Sequence, residues 1–201
     1  IITHVRIDTD ERAKNAIVRD IFYNKYCYNL EFVYIEDDTD SKLPNILNNI
    51  DIYKLYENSS ETKKSMSYNI GSTLTDRKYY CFLDLDCIVH PEQILRSVEY
   101  IKNDANIGLL YPFNDVALYL SEKMKEIFSD TVDYDILHNI IPSTIYVDYE
   151  NDNLLVGSIS APGGCIIARE DNFIKFKGFN PFFVGWGFED NEIQTRVKKL
   201  G

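Results

Sequence analysis

The stretch Tyr79-Tyr80-Cys81-Phe82-Leu83-Asp84-Leu85-Asp86 governs how the rest of the chain is read. Its first five residues form a compact apolar run of the length expected for a buried strand, and two carboxylates follow at once. Residues i and i+2 share a face of extended backbone, so Asp84 and Asp86 are expected side by side at the strand's carboxyl end. Pro91 then opens a predicted helix through Ile101, because proline suits a first helical turn. Strand, acidic end and helix make one unit of an open α/β sheet, and such sheets bind ligands at the carboxyl ends of their strands.

The same alternation runs outward from this unit. Ile2 to Ile7 is predicted as a strand, and Glu11 to Tyr23 carries Ala13, Ala16, Ile17 and Ile21 at helical spacing. Leu30 to Ile35 reads as the next strand, running into an acidic turn, Glu36-Asp37-Asp38-Thr39-Asp40. The region from Ile46 to Tyr56 is either a strand or irregular, Ser60 to Thr73 a helix, and Ile107 to Tyr111 a strand. Beyond Pro112 the pattern changes. Val116 to Phe128 is predicted helical, Ile140 to Tyr149 and Leu154 to Ile159 antiparallel strands, and Gly163-Gly164 precede a strand over Cys165 to Ala168. The expectation is one domain over residues 1–201, with a nucleotide-binding half over 1–112 and a second half over 113–201.

Composition narrows what the chain can do. With 201 residues and 45% hydrophobic content it can bury a real core. Its formal net charge of -11 disfavours non-specific nucleic-acid binding, so a phosphate-bearing ligand must be met by local Lys or Arg, or by a metal ion. No apolar run reaches the length of a membrane span and no signal-peptide pattern is visible. The first residue is Ile, which suggests an excised or processed piece. Cys27, Cys81, Cys87 and Cys165 lack metal-ligand spacing; Cys81 and Cys87, which flank the apolar strand, are expected as buried thiols rather than disulfides, and a reducing compartment fits best. His4, His90 and His138 are scattered.

Two constellations carry chemistry. Asp84 and Asp86 offer hard oxygen ligands suited to Mg²⁺ or Mn²⁺, which could in turn hold a diphosphate that an acidic protein would otherwise repel. The bland alternative is a pair of solvated turn acids. A strand ending in Asp-x-Asp is also how haloacid-dehalogenase-type phosphatases present their nucleophile, but that motif normally ends the first strand of its domain, and Asp84 follows two earlier strand units. The second constellation is Gly185-Trp186-Gly187-Phe188-Glu189-Asp190, the only Trp between two glycines and before two acids. Ile193, Val197 and Leu200 then mark one stripe of a helix. Acids at a helix start are common caps, which leaves the Gly-Trp-Gly unexplained.

Taken together these residues resemble metal-dependent glycosyltransferases of the GT-A fold, in particular family 2 enzymes sharing the carboxyl-terminal motif of β-1,4-galactosyltransferases and chondroitin synthases. The parts that carry the resemblance are Val5-Arg6-Ile7-Asp8, Glu36-Asp37, Asn69-Ile70-Gly71, Phe82-Leu83-Asp84-Leu85-Asp86, Gly163-Gly164 and Gly-Trp-Gly-Phe-Glu-Asp. It implies an α/β GT-A fold, a Rossmann-like mixed sheet flanked by helices, with an acceptor and catalytic half over 113–201. It also implies a UDP-sugar donor, a saccharide or glycoconjugate acceptor, and Mn²⁺ or Mg²⁺ held by Asp84 and Asp86. By the same resemblance Asp190 is the catalytic base and Glu189 the neighbouring sugar-contacting acid, while Glu36 receives a uracil hydrogen bond. Asp8, Arg6 and Lys64 border the nucleotide, Trp186 packs on a sugar, and Gly164 lets the donor approach the backbone. Asn69 is expected to bond a neighbouring loop at least as readily as a ligand.

Some features depart from that pattern. Relatives often carry Arg two residues beyond the position of Lys64, where this chain has Met66. They also supply a His as third metal ligand after the Glu-Asp helix; none of His4, His90 and His138 matches it, and the chain ends at Gly201, so a carboxyl-terminal truncation or a water-completed metal shell is expected. Two other functions stay open at this point. A sugar-phosphate nucleotidyltransferase would want a basic, glycine-rich loop after the first strand, where Asp8-Thr9-Asp10-Glu11 stands instead; a carbohydrate-binding domain that has lost turnover would keep the fold. The expected location is cytoplasmic, with any membrane association supplied by parts outside this chain.

Overall fold

The computed structural model describes residues 1–27, 29–113, 117–136, 156–158, 163–185 and 187–200. The chain divides into two compact units, Ile1–Pro112 with Gly163–Gly201, and Phe113–Pro162.

The first unit is built on a six-stranded sheet of order β3-β2-β1-β4-β8-β5. Its members are β1 (Ile2–Val5), β2 (Val33–Asp38), β3 (Ile52–Glu57), β4 (Tyr79–Leu83), β5 (Leu109–Leu110) and β8 (Cys165–Arg169). β1 pairs in parallel with β2 and β4, and β2 with β3, whereas β8 runs antiparallel to both β4 and β5. The reversal matters because the start of β8 then lies beside the end of β4. Leu83 registers with Cys165, so Gly163 and Gly164 arrive where Asp84 leaves the sheet. The sheet is mixed, as the resemblance implies.

Helices α1 (Asp10–Tyr26), α2 (Lys64–Thr73), α3 (Pro91–Asn103), α5 (Glu170–Lys175) and α6 (Glu189–Leu200) complete this unit. The start of α1 is capped by Thr9, whose hydroxyl accepts from the Arg12 amide at 3.2 Å. α3 begins at Pro91 behind a capping box built by His90 and Gln93, and buries Ile94, Ser97 and Ile101. The core joins sheet and helices through Ile2, Val33, Ile35, Tyr68, Phe82, Ile166, Phe173, Phe179 and Ile193, which removes large aromatic area from water. The second unit contains β6 (Ala117–Tyr119) paired antiparallel with β7 (Val156–Ser158), and α4 (Glu122–Thr131), capped by Ser121.

Three sequence expectations change here. Glu36, Asp37 and Asp38 belong to β2 rather than to a turn, and all three are buried. The fold tolerates this because each carboxylate is met by several donors; Asp37, for example, accepts from Asn58 Nδ2 at 2.6 Å and from the Lys63 amide at 2.6 Å. Within the helix expected over 116–128, residues 117–119 form a strand and α4 starts at Glu122, because the Ser121 hydroxyl takes the Met124 amide and fixes the boundary. The helix expected from Ser60 starts at Lys64, since Asn58, Thr62 and Lys63 bind Asp37 in an extended loop. The strand expected over Ile140 to Tyr149 lies outside the described residues. All four cysteines are free; Cys81 and Cys165 are buried, and Cys27 and Cys87 are half-buried.

Candidate active site

The end of β4 delivers Asp84 into a cluster of ionised groups. Its carboxylate is held from one side by two residues a helical turn apart on α2. Lys64 Nζ lies 2.8 Å from Asp84 Oδ1 and 2.9 Å from Oδ2, and the Tyr68 hydroxyl donates to Oδ1 at 2.6 Å. The Asp84 amide in turn donates to the Gly164 carbonyl at 2.9 Å. Asp86 is exposed, two residues on.

Helix α6 brings the second pair of acids to the same lysine. Lys64 Nζ lies 3.1 Å from Glu189 Oε1 and 3.5 Å from Asp190 Oδ2. One mostly buried ammonium therefore sits among three carboxylates from two distant parts of the chain. Burial disfavours its charge, but Asp84, Asp190 and Glu189 outweigh that and hold the Lys64 pKa above its usual value. Burial together with the Asp84 charge raises the Tyr68 hydroxyl well above the ordinary tyrosine value, so it stays a donor.

Asp190 is the most perturbed of the acids. Burial pushes its carboxyl up from 3.8 to about 7, helped by the Asp84 and Glu189 charges and opposed by Lys64. Its Oδ1 is buried with no hydrogen-bond partner among the described residues. Room for this side chain comes from Gly163: a Cβ built there would fall on Asp190 Oδ2. At Gly164 φ is +86°, a left-handed backbone that favours glycine, and an added Cβ would come 3.0 Å from Cys87 Sγ. The glycine pair thus makes the turn into β8 and leaves room for the Asp190 carboxylate, and the second of these roles has no signal in the sequence.

These groups border a cleft lined by His4, Arg6, Arg12, Asn15, Thr62, Lys64, Asp84, Leu85, Asp86, Gly185 and Glu189. Arg6, Arg12 and Lys64 bring three positive charges to this cleft, set against the carboxylates of Asp84, Asp86 and Glu189. Arg12 and Asn15 carry no sequence signal of their own; they reach the cleft because α1 starts beside the end of β1. Asp8 is half-exposed, 3.5 Å from Arg12 and 4.0 Å from Arg6. His4 is bridged by Ser67 Oγ at 3.1 Å and Thr62 Oγ1 at 2.8 Å, and burial lowers its pKa to about 4, which keeps the ring neutral.

Glu36 is placed differently. It is fully buried, and both of its oxygens accept from the amides of Lys42 and Leu43 while the Tyr53 hydroxyl donates at 2.6 Å. The carboxylate expected to meet a base is occupied in holding the loop after β2. Asn69 grips Phe179 with both ends of its amide, donating to the carbonyl at 2.8 Å and accepting from the amide at 2.9 Å, which is the loop contact anticipated for it. Trp186 lies outside the described residues. Its neighbours Gly185 and Gly187 have φ of 84° and 102°, and the Gly185 amide donates to the Thr62 carbonyl at 2.8 Å.

The donor set at the end of β4 fits a hard divalent cation. One ligand atom from each of Asp84, Asp86 and Cys87 lies within 4.8 Å of the others. Asp84 Oδ2, met by Lys64 alone, keeps a lone pair for such an ion. Burial and the two aspartates push the Cys87 thiol up, so it stays protonated and the carboxylates are the effective ligands.

Comparison with known families decides the classification. The family described as glycosyl transferase family 2 matches residues 6–170. The chain belongs to glycosyl transferase family 2. A second family, described as the N-terminal domain of galactosyltransferase, matches residues 156–201 of this family 2 domain. No curated protein matches the chain at the level of sequence.

Among solved structures, the family 2 domain is similar to the mannosyltransferase PcManGT from Pyrobaculum calidifontis in complex with GDP-Man and Mn²⁺, with 11% identity and a TM-score of 0.54 over 97% of this chain and 50% of that one. A Drosophila β-1,4-galactosyltransferase 7 complex with manganese, UDP-Gal and xylobiose gives 13% identity and a TM-score of 0.43 over 100% and 63% of the two chains. A CMP-2-keto-3-deoxy-manno-octonic acid synthetase with CTP gives 11% identity and 0.48 over 98% and 83%. The first of these shows a shared GT-A fold; the other two overlap too loosely to bear on anything further. The chain spans 50% and 63% of the length of the two transferases. Among the described residues no helix is long and apolar enough to cross a membrane.

Proposed function

We propose that this family 2 domain is a divalent-metal-dependent, inverting glycosyltransferase that moves a hexose or N-acetylhexosamine from a UDP-sugar to a saccharide acceptor. The observation that carries the reading is the convergence of Asp84, Glu189 and Asp190 on Lys64 at one edge of a cleft that also presents Arg6 and Arg12. Such a site can hold a nucleoside diphosphate on one side and present a base on the other.

In this reading Asp84 and Asp86 hold Mn²⁺ or Mg²⁺. The ion, when bound, neutralises the diphosphate and eases its departure. Arg6 and Arg12, with Lys64 behind them, supply the remaining positive charge toward the phosphates, and Asp8 orients the two arginines. Tyr68 and Lys64 keep the Asp84 carboxylate in one orientation. Asp190 Oδ1, buried and unsatisfied, takes the proton from the acceptor hydroxyl as that oxygen attacks the anomeric carbon from the face opposite the leaving diphosphate. Glu189 bonds sugar hydroxyls, Trp186 packs on a sugar face, and the Gly163-Gly164 turn leaves space beside them. The contact to the uracil ring is not Glu36's, whose oxygens are spent in the fold.

Calorimetry tests the metal half of this reading. UDP should bind with Mn²⁺ markedly more tightly than without it, and Asp86→Ala should remove most of that difference. Equal UDP affinity with and without Mn²⁺ would sink the metal assignment.

A further inference from the structure

Phe188 is a phenyl ring that the fold does not use. It has φ of +68°, in the left-handed region that disfavours any side chain, and it is 77% exposed. Its contribution to α6 is a backbone carbonyl, which accepts from the Glu192 amide at 2.9 Å and would do so from any residue. Glycine would relieve the strain and remove exposed apolar surface together, and the same loop already places Gly185 and Gly187 at positive φ. Two costs are therefore borne at one position without a packing return.

The position itself says what the return is. Phe188 stands between Gly185 and Glu189, both of which line the cleft, and directly before the carboxylates that reach Lys64. Gly187 has nothing within 4 Å of where a Cβ would be, so the approach to this turn is open. Phe182 and Val184, 88% and 51% exposed, extend the apolar character along the same loop. An exposed ring one residue before Glu189, beside a cleft that mixes charged side chains with Asn15, Thr62 and Leu85, suits a ligand with one apolar face and hydroxyls on its edge, which describes a pyranose.

We propose that Phe188 is a saccharide-stacking residue, which holds the acceptor sugar against the turn before α6 so that its hydroxyl meets Asp190. This rests on the transferase reading given above for the role of Asp190; the stacking itself does not require turnover.

The test compares wild type, Phe188→Gly and Phe188→Tyr on an array of β-linked hexose and N-acetylhexosamine oligosaccharides, with UDP and Mn²⁺ affinity measured separately by calorimetry. Phe188→Gly should melt at or above the wild-type temperature, because glycine suits this backbone. Its saccharide affinity should fall by about tenfold, the ratio that corresponds to about 1.4 kcal/mol, and Phe188→Tyr should restore it. UDP affinity should be the same in all three. Phe188→Gly binding the array as wild type does, or wild type binding none of it, overturns the proposal. Saccharide binding that depends on Phe188 in a protein that does not bind UDP supports the stacking role and defeats the transferase reading, so the two fail separately.

Discussion

Lys64 Nζ stands 3.1 Å from Glu189 Oε1 while it is bonded to Asp84, so a single ammonium joins the end of β4 to the start of α6. The side chain of Lys64 is 15% exposed, and those of Glu189 and Asp190 8% and 14%, which leaves little water to screen the carboxylates from one another. Removing the lysine should therefore cost far more than a surface ion pair would. Lys64→Ala is expected to lower stability by about 3–5 kcal/mol, read as a shift in urea midpoint. Millimolar Mn²⁺ should recover part of that loss, because it returns positive charge to Asp84; an unchanged midpoint in Lys64→Ala would show that the cluster is not held by this cation.

The contact between Gly163 and Asp190 makes a second prediction. A methyl at residue 163 would occupy the place of Asp190 Oδ2. Gly163→Ala should keep the sheet intact and displace the carboxylate, lowering transfer by about 100-fold while UDP binding with Mn²⁺ holds. Steady-state rates together with calorimetry distinguish this from unfolding.

Asn69 tests the scaffold rather than the chemistry. Its two hydrogen bonds to the backbone of Phe179 tie α2 to the segment leading into the Gly-Trp-Gly turn. Asn69→Ala should cost about 2–3 kcal/mol by leaving both Phe179 groups without partners, and Asn69→Asp should recover only the bond to the Phe179 amide. A thermal melt of each variant checks the order.

The carboxyl of Asp190 predicts how stability responds to pH. Its pKa in the fold is raised from 3.8 to about 7, so the fold favours the protonated form. The resulting penalty is absent below about pH 4, grows between pH 4 and 7, and is complete above 7. Asp190→Asn removes it and should be more stable than wild type at pH 8, by up to about 4 kcal/mol, with the two converging toward pH 4. Denaturant titrations across that range measure the difference.

Much of this site can be read along the chain, and the physical reason for the remainder is visible in particular residues. The apolar run from Tyr79 to Leu83 is a strand with the bounds expected of it, because a short apolar run closed by acids has few other solutions. Pro91 likewise marks its helix start. The burial of Glu36 to Asp38 is not legible, since acidic runs are ordinarily solvated and the donors that satisfy these three come partly from the loop after β2, through Thr39, Lys42 and Leu43, and partly from β3 and the loop beyond it, through Tyr53, Asn58 and Lys63. The short helix α5 escapes a periodicity search because six residues hold fewer than two turns. Lys64 could be picked out as a basic residue near a nucleotide. Its grip on three carboxylates, two of them on α6, is set by the tertiary fold alone.

The central claim is that Asp190 removes the acceptor proton, and one measurement addresses it: acceptor-dependent UDP release from a UDP-sugar with Mn²⁺, compared between wild type and Asp190→Asn at pH 8. The account predicts that wild type releases UDP and that the variant is slower by a factor of about 10²–10⁴ while binding UDP and Mn²⁺ as wild type does. An Asp190→Asn protein that turns over within a few-fold of wild type would contradict it.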